Sequence, residues 1–143
     1  MSLETELAND LPLILGDRVQ LQQVILNLLI NAIEAMAEFE EEPRILWVSS
    51  KRTIELSDNS EQVLIAVRDS GPGLDMRSLH RLFDTFYTTK PQGLGMGLAI
   101  SRSIVEAHGG RLWAENAPKG ALFQFTLPIF GEVVEQSAVS SKQ

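Results

Sequence analysis

The sequence predicts an α+β domain, and three observations carry that expectation. A stretch near the N-terminus, from Arg18 to about Glu38, repeats its apolar residues at helical spacing. Two pairs of strand-like runs, 44–51 with 62–68 and 111–115 with 122–127, are each joined through turn residues. Between the pairs, a glycine-punctuated loop tightens into a second apolar-periodic helix.

With 143 residues, 44% hydrophobic and 22% charged, the chain has the makings of one globular domain with a sizeable core. No apolar run looks long enough to span a membrane, and the N-terminus lacks a signal-peptide layout. The absence of cysteine excludes disulfides and thiolate metal sites and agrees with a cytoplasmic location. A net charge of −7 argues against nucleic acid and anionic membranes as partners. Any polyphosphate site must therefore be built from local donors.

Taken in order, residues 1–10 read as a lead-in, 11–130 as the domain and 131–143 as a polar tail. The run 11–15 is apolar with Pro12 near its start, and reads as an edge strand or a lead-in. Gly16 breaks it, and Asp17 caps the first helix with Gln20 in the N3 position of a capping box. Leu21, Val24, Ile25, Leu28, Ala32 and Met36 form the buried stripe of that helix. Gln23, Asn27, Asn31 and Glu34 line another side of it. Amides flanked by so many apolar neighbours need partners. They are a solvated stripe, core asparagines bonded to backbone, or hard, neutral oxygen ligands for a Mg²⁺ that also holds phosphate.

The acidic loop 38–43 leads to the first strand pair, with a turn at Asp58-Asn59-Ser60. Its second strand ends in Asp69, followed by Gly71 and Gly73. A carboxylate there can accept from an exocyclic amine, or it can simply close an Asx-turn. Asp75 caps a short helix at 77–83, and Thr88, Thr89 and Lys90 follow as potential phosphate contacts. Gly93, Gly95 and Gly97 then let the backbone approach a ligand closely. The helix 98–108 behind them offers unpaired N–H groups and the positive end of its dipole. That is how a phosphate cradle is built, although a flexible connector has the same composition. Neither the dinucleotide fingerprint nor the Walker loop is matched. Gly109-Gly110 closes the helix, and Pro128 stops the last strand.

Together these pieces resemble the ATP-binding catalytic domain of sensor histidine kinases, within the gyrase, Hsp90, histidine kinase and MutL superfamily. QVILNLLINAIEAM (23–36) looks like the N box and DSGPG (69–73) like the G1 box. LFDTFYTTK (82–90) looks like the F box and GLGMGL (93–98) like the G2 box. The wording is similar to oxygen-sensing and nitrogen-regulation kinases. The resemblance implies a Bergerat fold: an α+β two-layer sandwich, with a mixed, mostly antiparallel sheet packed on three helices. ATP and Mg²⁺ would be its cofactors, under a lid from about Asp75 to Gly97. Asn31 matches the metal-ligating asparagine, and Asn27 the second N-box asparagine, a catalytic position with Asn31 and Lys90. Asp69 matches the acceptor of the adenine amine, with Gly71 and Gly73 beside the base. Phe83, Thr88, Thr89, Lys90, Gly93, Leu94, Gly95, Met96, Gly97 and Leu98 complete the nucleotide-binding set.

Three positions depart from the usual pattern: Glu34 replaces a basic residue, Ala35 an aromatic one and Ala121 a threonine. The implied reaction is transfer of the γ-phosphate to a histidine on a separate dimerisation domain, and onward to a response regulator. Neither His80 nor His108 begins an acceptor-type helix, so both read as structural or surface residues. An ATP-hydrolysing clamp is the first alternative, but its general-base glutamate is replaced here by Asn27. A protein-serine kinase of the same fold is the second alternative, and a nucleotide-sensing module the third.

Overall fold

A computed structural model describes residues 1–8, 16–37, 44–75, 79, 81–84 and 97–129. Seven elements follow in chain order: β1 (Ser2–Leu7), α1 (Arg18–Ala37), β2 (Ile45–Glu55), β3 (Ser60–Asp69), α2 (Gly97–Ala107), β4 (Arg111–Asn116) and β5 (Ala121–Pro128). The five strands make one sheet in the order β1-β2-β3-β5-β4. Only the β1–β2 pair is parallel. The mixed, mostly antiparallel sheet is thus as expected, with both described helices on one of its faces.

Period-two alternation decides which face that is. In β3, Val63, Ile65 and Val67 are buried while Leu64, Ala66 and Arg68 between them are half-exposed. Leu46, Leu112, Phe123, Phe125 and Leu127 continue the inner face. Against it α1 lays Leu21, Val24, Leu28, Ala32 and Met36, and α2 lays Ile104 and Val105. Contrary to the expectation that no apolar run is long enough, α1 is by length and composition able to cross a membrane, because its polar residues are few and scattered among apolar ones. The burial of its core stripe against the sheet makes it a core helix.

The outer face is open. There Arg68 stacks on Trp47 at 3.8 Å and Arg111 on Trp113 at 4.4 Å, each guanidinium covering an indole that no helix shields.

Two differences from the sequence reading stand out. Residues 2–7, read as lead-in, form the parallel edge strand β1. All six are exposed, so no buried face imprinted a pattern on them. The edge strand or lead-in suggested for 11–15 lies outside the described residues, as do residues 77, 78 and 80 of the short helix expected at 77–83; within it, the Leu79 N–H bonds the Asp75 carbonyl at 3.2 Å.

The cap of α1 is the second difference. Asp17 Oδ1 accepts from the Gln20 N–H at 3.1 Å, as a capping box requires. The reciprocal bond is replaced: the Asp17 N–H donates to His108 Nε2 at 3.0 Å. His108 Nδ1 lies 2.8 Å from the Ile104 carbonyl, which can only accept, so the proton sits on Nδ1. His108 therefore clasps the end of α2 to the start of α1, in agreement with its structural reading.

The end of α2 is a Schellman motif. The Gly110 N–H bonds the Val105 carbonyl, the Gly109 N–H bonds that of Glu106, and Gly109 adopts φ +84°. Next to it, a Cβ on Gly110 would lie 1.8 Å from the Thr126 carbonyl oxygen of β5. Gly110→Ala should destabilise the domain by about 1–3 kcal/mol or more, because backbone must move. Gly97→Ala, whose nearest neighbour among the described residues would be 4.0 Å away, serves as the control in thermal melts.

Candidate nucleotide site

The site is organised along α1. Asn27 and Asn31, one turn apart, are both half-buried, whereas Gln23 and Glu34 at the ends of the polar line are exposed. Asn27 Nδ2 donates to the Gly97 carbonyl at 3.3 Å and to Ser101 Oγ at 3.0 Å. Since a carbonyl can only accept, the amide nitrogen must face α2. Asn27 Oδ1 is left without a partner among the described residues. Ser101 is fully buried, and its hydroxyl fixes this orientation. The first residue of α2, Gly97, thus sits against the N box.

Two turns further along α1, Ala35 faces the loop after β3. A Cβ on Gly71 would lie 3.5 Å from the Ala35 backbone and 3.0 Å from Asp69 Oδ1. Asp69 is 1% exposed. Its Oδ1 accepts from the Gly71 N–H at 2.8 Å and from the Ala121 N–H at 3.3 Å. The other carboxylate oxygen has no partner among the described residues. Burial pushes the Asp69 carboxyl up from its ordinary value, while the two backbone donors pull it the other way. The neighbouring Ser70 Oγ accepts from the Ile45 N–H at 2.9 Å and lies 3.6 Å from Met36 Sδ, tying loop, β2 and α1 together.

Around this point the β4–β5 turn closes in. Gly120 has φ +94°, and a Cβ there would fall 1.8 Å from the Asp69 carbonyl oxygen. A cleft of about 610 Å³ opens between the loop and this turn, with Pro72, Gly73, Asn116 and Lys119 in its lining. Phe83 is half-buried against the core, with the Arg102 guanidinium 5.3 Å from its ring centroid, and Leu98 also packs on the core. The expected residues Thr88, Thr89, Lys90, Gly93, Leu94, Gly95 and Met96 lie outside the described residues, as does His80.

The geometry has two ends on one helix. From Asn27 to Ala35 is eight residues, roughly 12 Å at 1.5 Å per residue. One end carries amide oxygens beside a helix N-terminus, and the other a buried carboxylate among glycines.

The profile of histidine kinase-, DNA gyrase B- and HSP90-like ATPases matches residues 16–130. A solved catalytic domain of the histidine kinase ThkA superposes with a TM-score of 0.73 at 34% identity, covering 89% of this chain and 78% of that one. The chain belongs to this ATPase family, as a histidine kinase catalytic domain.

Among curated relatives, the sensor protein FixL of Bradyrhizobium diazoefficiens is 49% identical over 84% of the chain. The sensor histidine kinase TmoS of Ectopseudomonas mendocina is 42% identical over 90%. The chain spans only 23% and 13% of their lengths, so those proteins carry much besides a catalytic domain of this kind. A further ThkA structure, 32% identical with a TM-score of 0.69, is a complex with the response regulator protein TrrA; it covers 90% of this chain and 34% of that one.

For this catalytic domain, the sequence reading overlooked Ser101, Gly120 and Asn116. Gly120 was legible as a turn glycine, but its contact with Asp69 spans 51 residues of sequence. Ser101 carried a signal of its own: a hydroxyl on the buried stripe of α2, one turn beyond Gly97.

A test of Asp69 follows from its burial. With its pKa raised in the folded state, ionising this carboxyl costs stability. That cost is absent below the ordinary carboxylate range and fully present above the raised value, hence at neutral pH. Asp69→Asn removes it, so the nucleotide-free domain should melt at the same or a higher temperature at pH 7. If Asp69 is the acceptor of the adenine amine, calorimetry should meanwhile show ATP affinity falling by about 1–3 kcal/mol.

Proposed function

We propose that this chain is the phosphoryl-donor half of a two-component sensor kinase. It binds Mg·ATP and passes the γ-phosphate to a histidine on a separate dimerisation domain of its parent protein, from which a response regulator takes it. The supporting observation is the pair of contacts at the two ends of α1: Asn27 with Gly97, and Ala35 with Gly71 beside Asp69. In this reading Asp69 accepts from the adenine amine. The triphosphate lies at the other end, under the N-terminus of α2, where unpaired N–H groups and the helix dipole favour anions.

The donor set at that end fits Mg²⁺. Asn27 has spent its nitrogen on α2, which leaves a hard, neutral oxygen, and Asn31 follows one turn on. An ion held there would neutralise charge on the phosphates. The chain's own part is to position the nucleotide and exclude water, since phosphoryl transfer needs little covalent work. The missing positive charge at Glu34 falls to Lys90. The γ-phosphate leaves as the acceptor imidazole nitrogen bonds to phosphorus, with ADP as the leaving group.

Hydrolysis by the chain itself is disfavoured by Asn27. Its amide cannot take a proton from water at neutral pH, and its nitrogen is tied to Gly97 and Ser101.

Radiolabelled ATP tests the proposal directly. The chain alone should neither label itself nor release phosphate quickly, and adding the cognate dimerisation domain should give an acid-labile, base-stable label on that domain. Self-labelling on serine would indicate the serine-kinase alternative, and rapid phosphate release the clamp. Asn31→Ala should weaken ATP binding far more with Mg²⁺ present than without it; equal losses would mean that the substitution merely disturbs α1.

A further inference from the structure

Asn116, the last residue of β4, makes an arrangement that none of the family's boxes includes. Its Oδ1 accepts from the Leu74 N–H at 2.7 Å, and its Nδ2 donates to the Leu74 carbonyl at 2.7 Å. One side chain thus occupies both polar groups of one residue, as a neighbouring strand would. Asparagine is the shortest side chain that presents a donor and an acceptor in such a fork.

The consequence lies in what the fork holds. The loop from Gly71 to Leu74 is suspended from two points. At one end the Gly71 N–H bonds Asp69 Oδ1 at 2.8 Å, and at the other Leu74 is gripped by Asn116. Between them Gly73 adopts φ +87°, and a Cβ there would lie 3.0 Å from Asn116 Oδ1 and 3.3 Å from the Gly120 carbonyl. The glycine is therefore pressed against both the fork and the β4–β5 turn. That same turn supplies the Ala121 N–H to Asp69 Oδ1. The Asp69 carboxylate and the loop beyond it are thus registered on the same end of the β4–β5 hairpin.

We infer that Asn116 is a positioning residue for base recognition: it fixes the far end of the Gly71–Leu74 loop so that the free oxygen of Asp69 and the glycines present a preformed adenine site. Both polar atoms of its side chain are spent on Leu74, so it acts through that residue. This inference rests on the assignment of Asp69 to the base proposed above. It predicts a defect confined to base recognition. Without the fork, the loop keeps the Gly71 bond and the packing of the Leu74 side chain on the core, but the Leu74 backbone is no longer gripped, and binding adenine must order it again. The phosphate end is anchored separately through Asn27 and α2, and keeps its contribution.

Isothermal calorimetry on the full 143-residue chain, with Mg·ATP and Mg·GTP titrated into wild type, Asn116→Ala and Asn116→Asp, provides the test. Asn116→Ala should lose about ten-fold in ATP affinity, the scale of two neutral hydrogen bonds, and much less in GTP affinity. Its preference for ATP should fall accordingly, with the nucleotide-free melting temperature little changed. Asn116→Asp keeps an acceptor for the Leu74 N–H but sets a carboxylate against the Leu74 carbonyl, and should lie between the two. Equal losses for both nucleotides together with a lower melting temperature would make Asn116 merely structural and overturn the inference. So would wild-type affinity and selectivity in Asn116→Ala. A wild-type chain that binds neither nucleotide would overturn the base assignment of Asp69 itself, and the inference with it.

Discussion

The buried carboxylate of Asp69 is the constraint on which much of this domain turns. A charged group removed from water must find donors, and here two backbone N–H groups supply them, one from the loop just beyond β3 and one from the start of β5. Bonding to both fixes the loop relative to the sheet. It also brings the β4–β5 turn so close that only glycine fits at position 120. Ionising the carboxylate in this setting works against the stability of the empty domain. A site of this sort is costly to keep unless the free oxygen has a ligand to meet, and such local conflicts are where function is expected to reside.

The second constraint is α1, which serves as the axis of the site. Its core stripe fixes its rotation against the sheet, and that rotation leaves Asn27 and Asn31 half-buried, with Asn27 reaching α2. Ser101 and Gly97 then lock the amide of Asn27, so the helix that follows the glycine loop cannot shift without breaking those bonds. His108 makes a similar connection at the other end of α2, clasping it to the start of α1. The two helices are therefore tied at both ends by polar side chains, with Ile104 and Val105 packed between. A pair fixed in this way gives the residues that precede Gly97 a rigid anchor.

How much of this was legible in the sequence depended on burial. Helix α1, the hairpin of β2 and β3 and the β4–β5 pair all bury one face, so their periodicity was visible and their limits came out within a few residues. The six exposed residues of β1 gave no such signal. Half of the capping box was legible, because Asp17 and Gln20 are neighbours in sequence; the other half was not, because its partner His108 is 91 residues away. The same holds at the site. Asp69, Gly71 and Asn27 belong to contiguous motifs that could be read directly. Asn116 and Gly120 act by touching segments some 40 to 50 residues distant, and nothing local in Asn116-Ala-Pro-Lys-Gly120 announces that contact.

The arrangement of the outer sheet face bears on how this protein can be watched. The chain has two tryptophans, and both project from the side of the sheet away from α1 and α2, each beneath an arginine. Their indoles share a strand lattice with Arg68 and Gln124, and sit a full sheet thickness from Asp69's free oxygen and from Asn27. Intrinsic fluorescence will therefore follow the melting of the sheet faithfully and respond weakly to nucleotide arriving on the opposite side. An optical reporter of occupancy has to be placed among the helices, where the native chain carries no indole in any described residue.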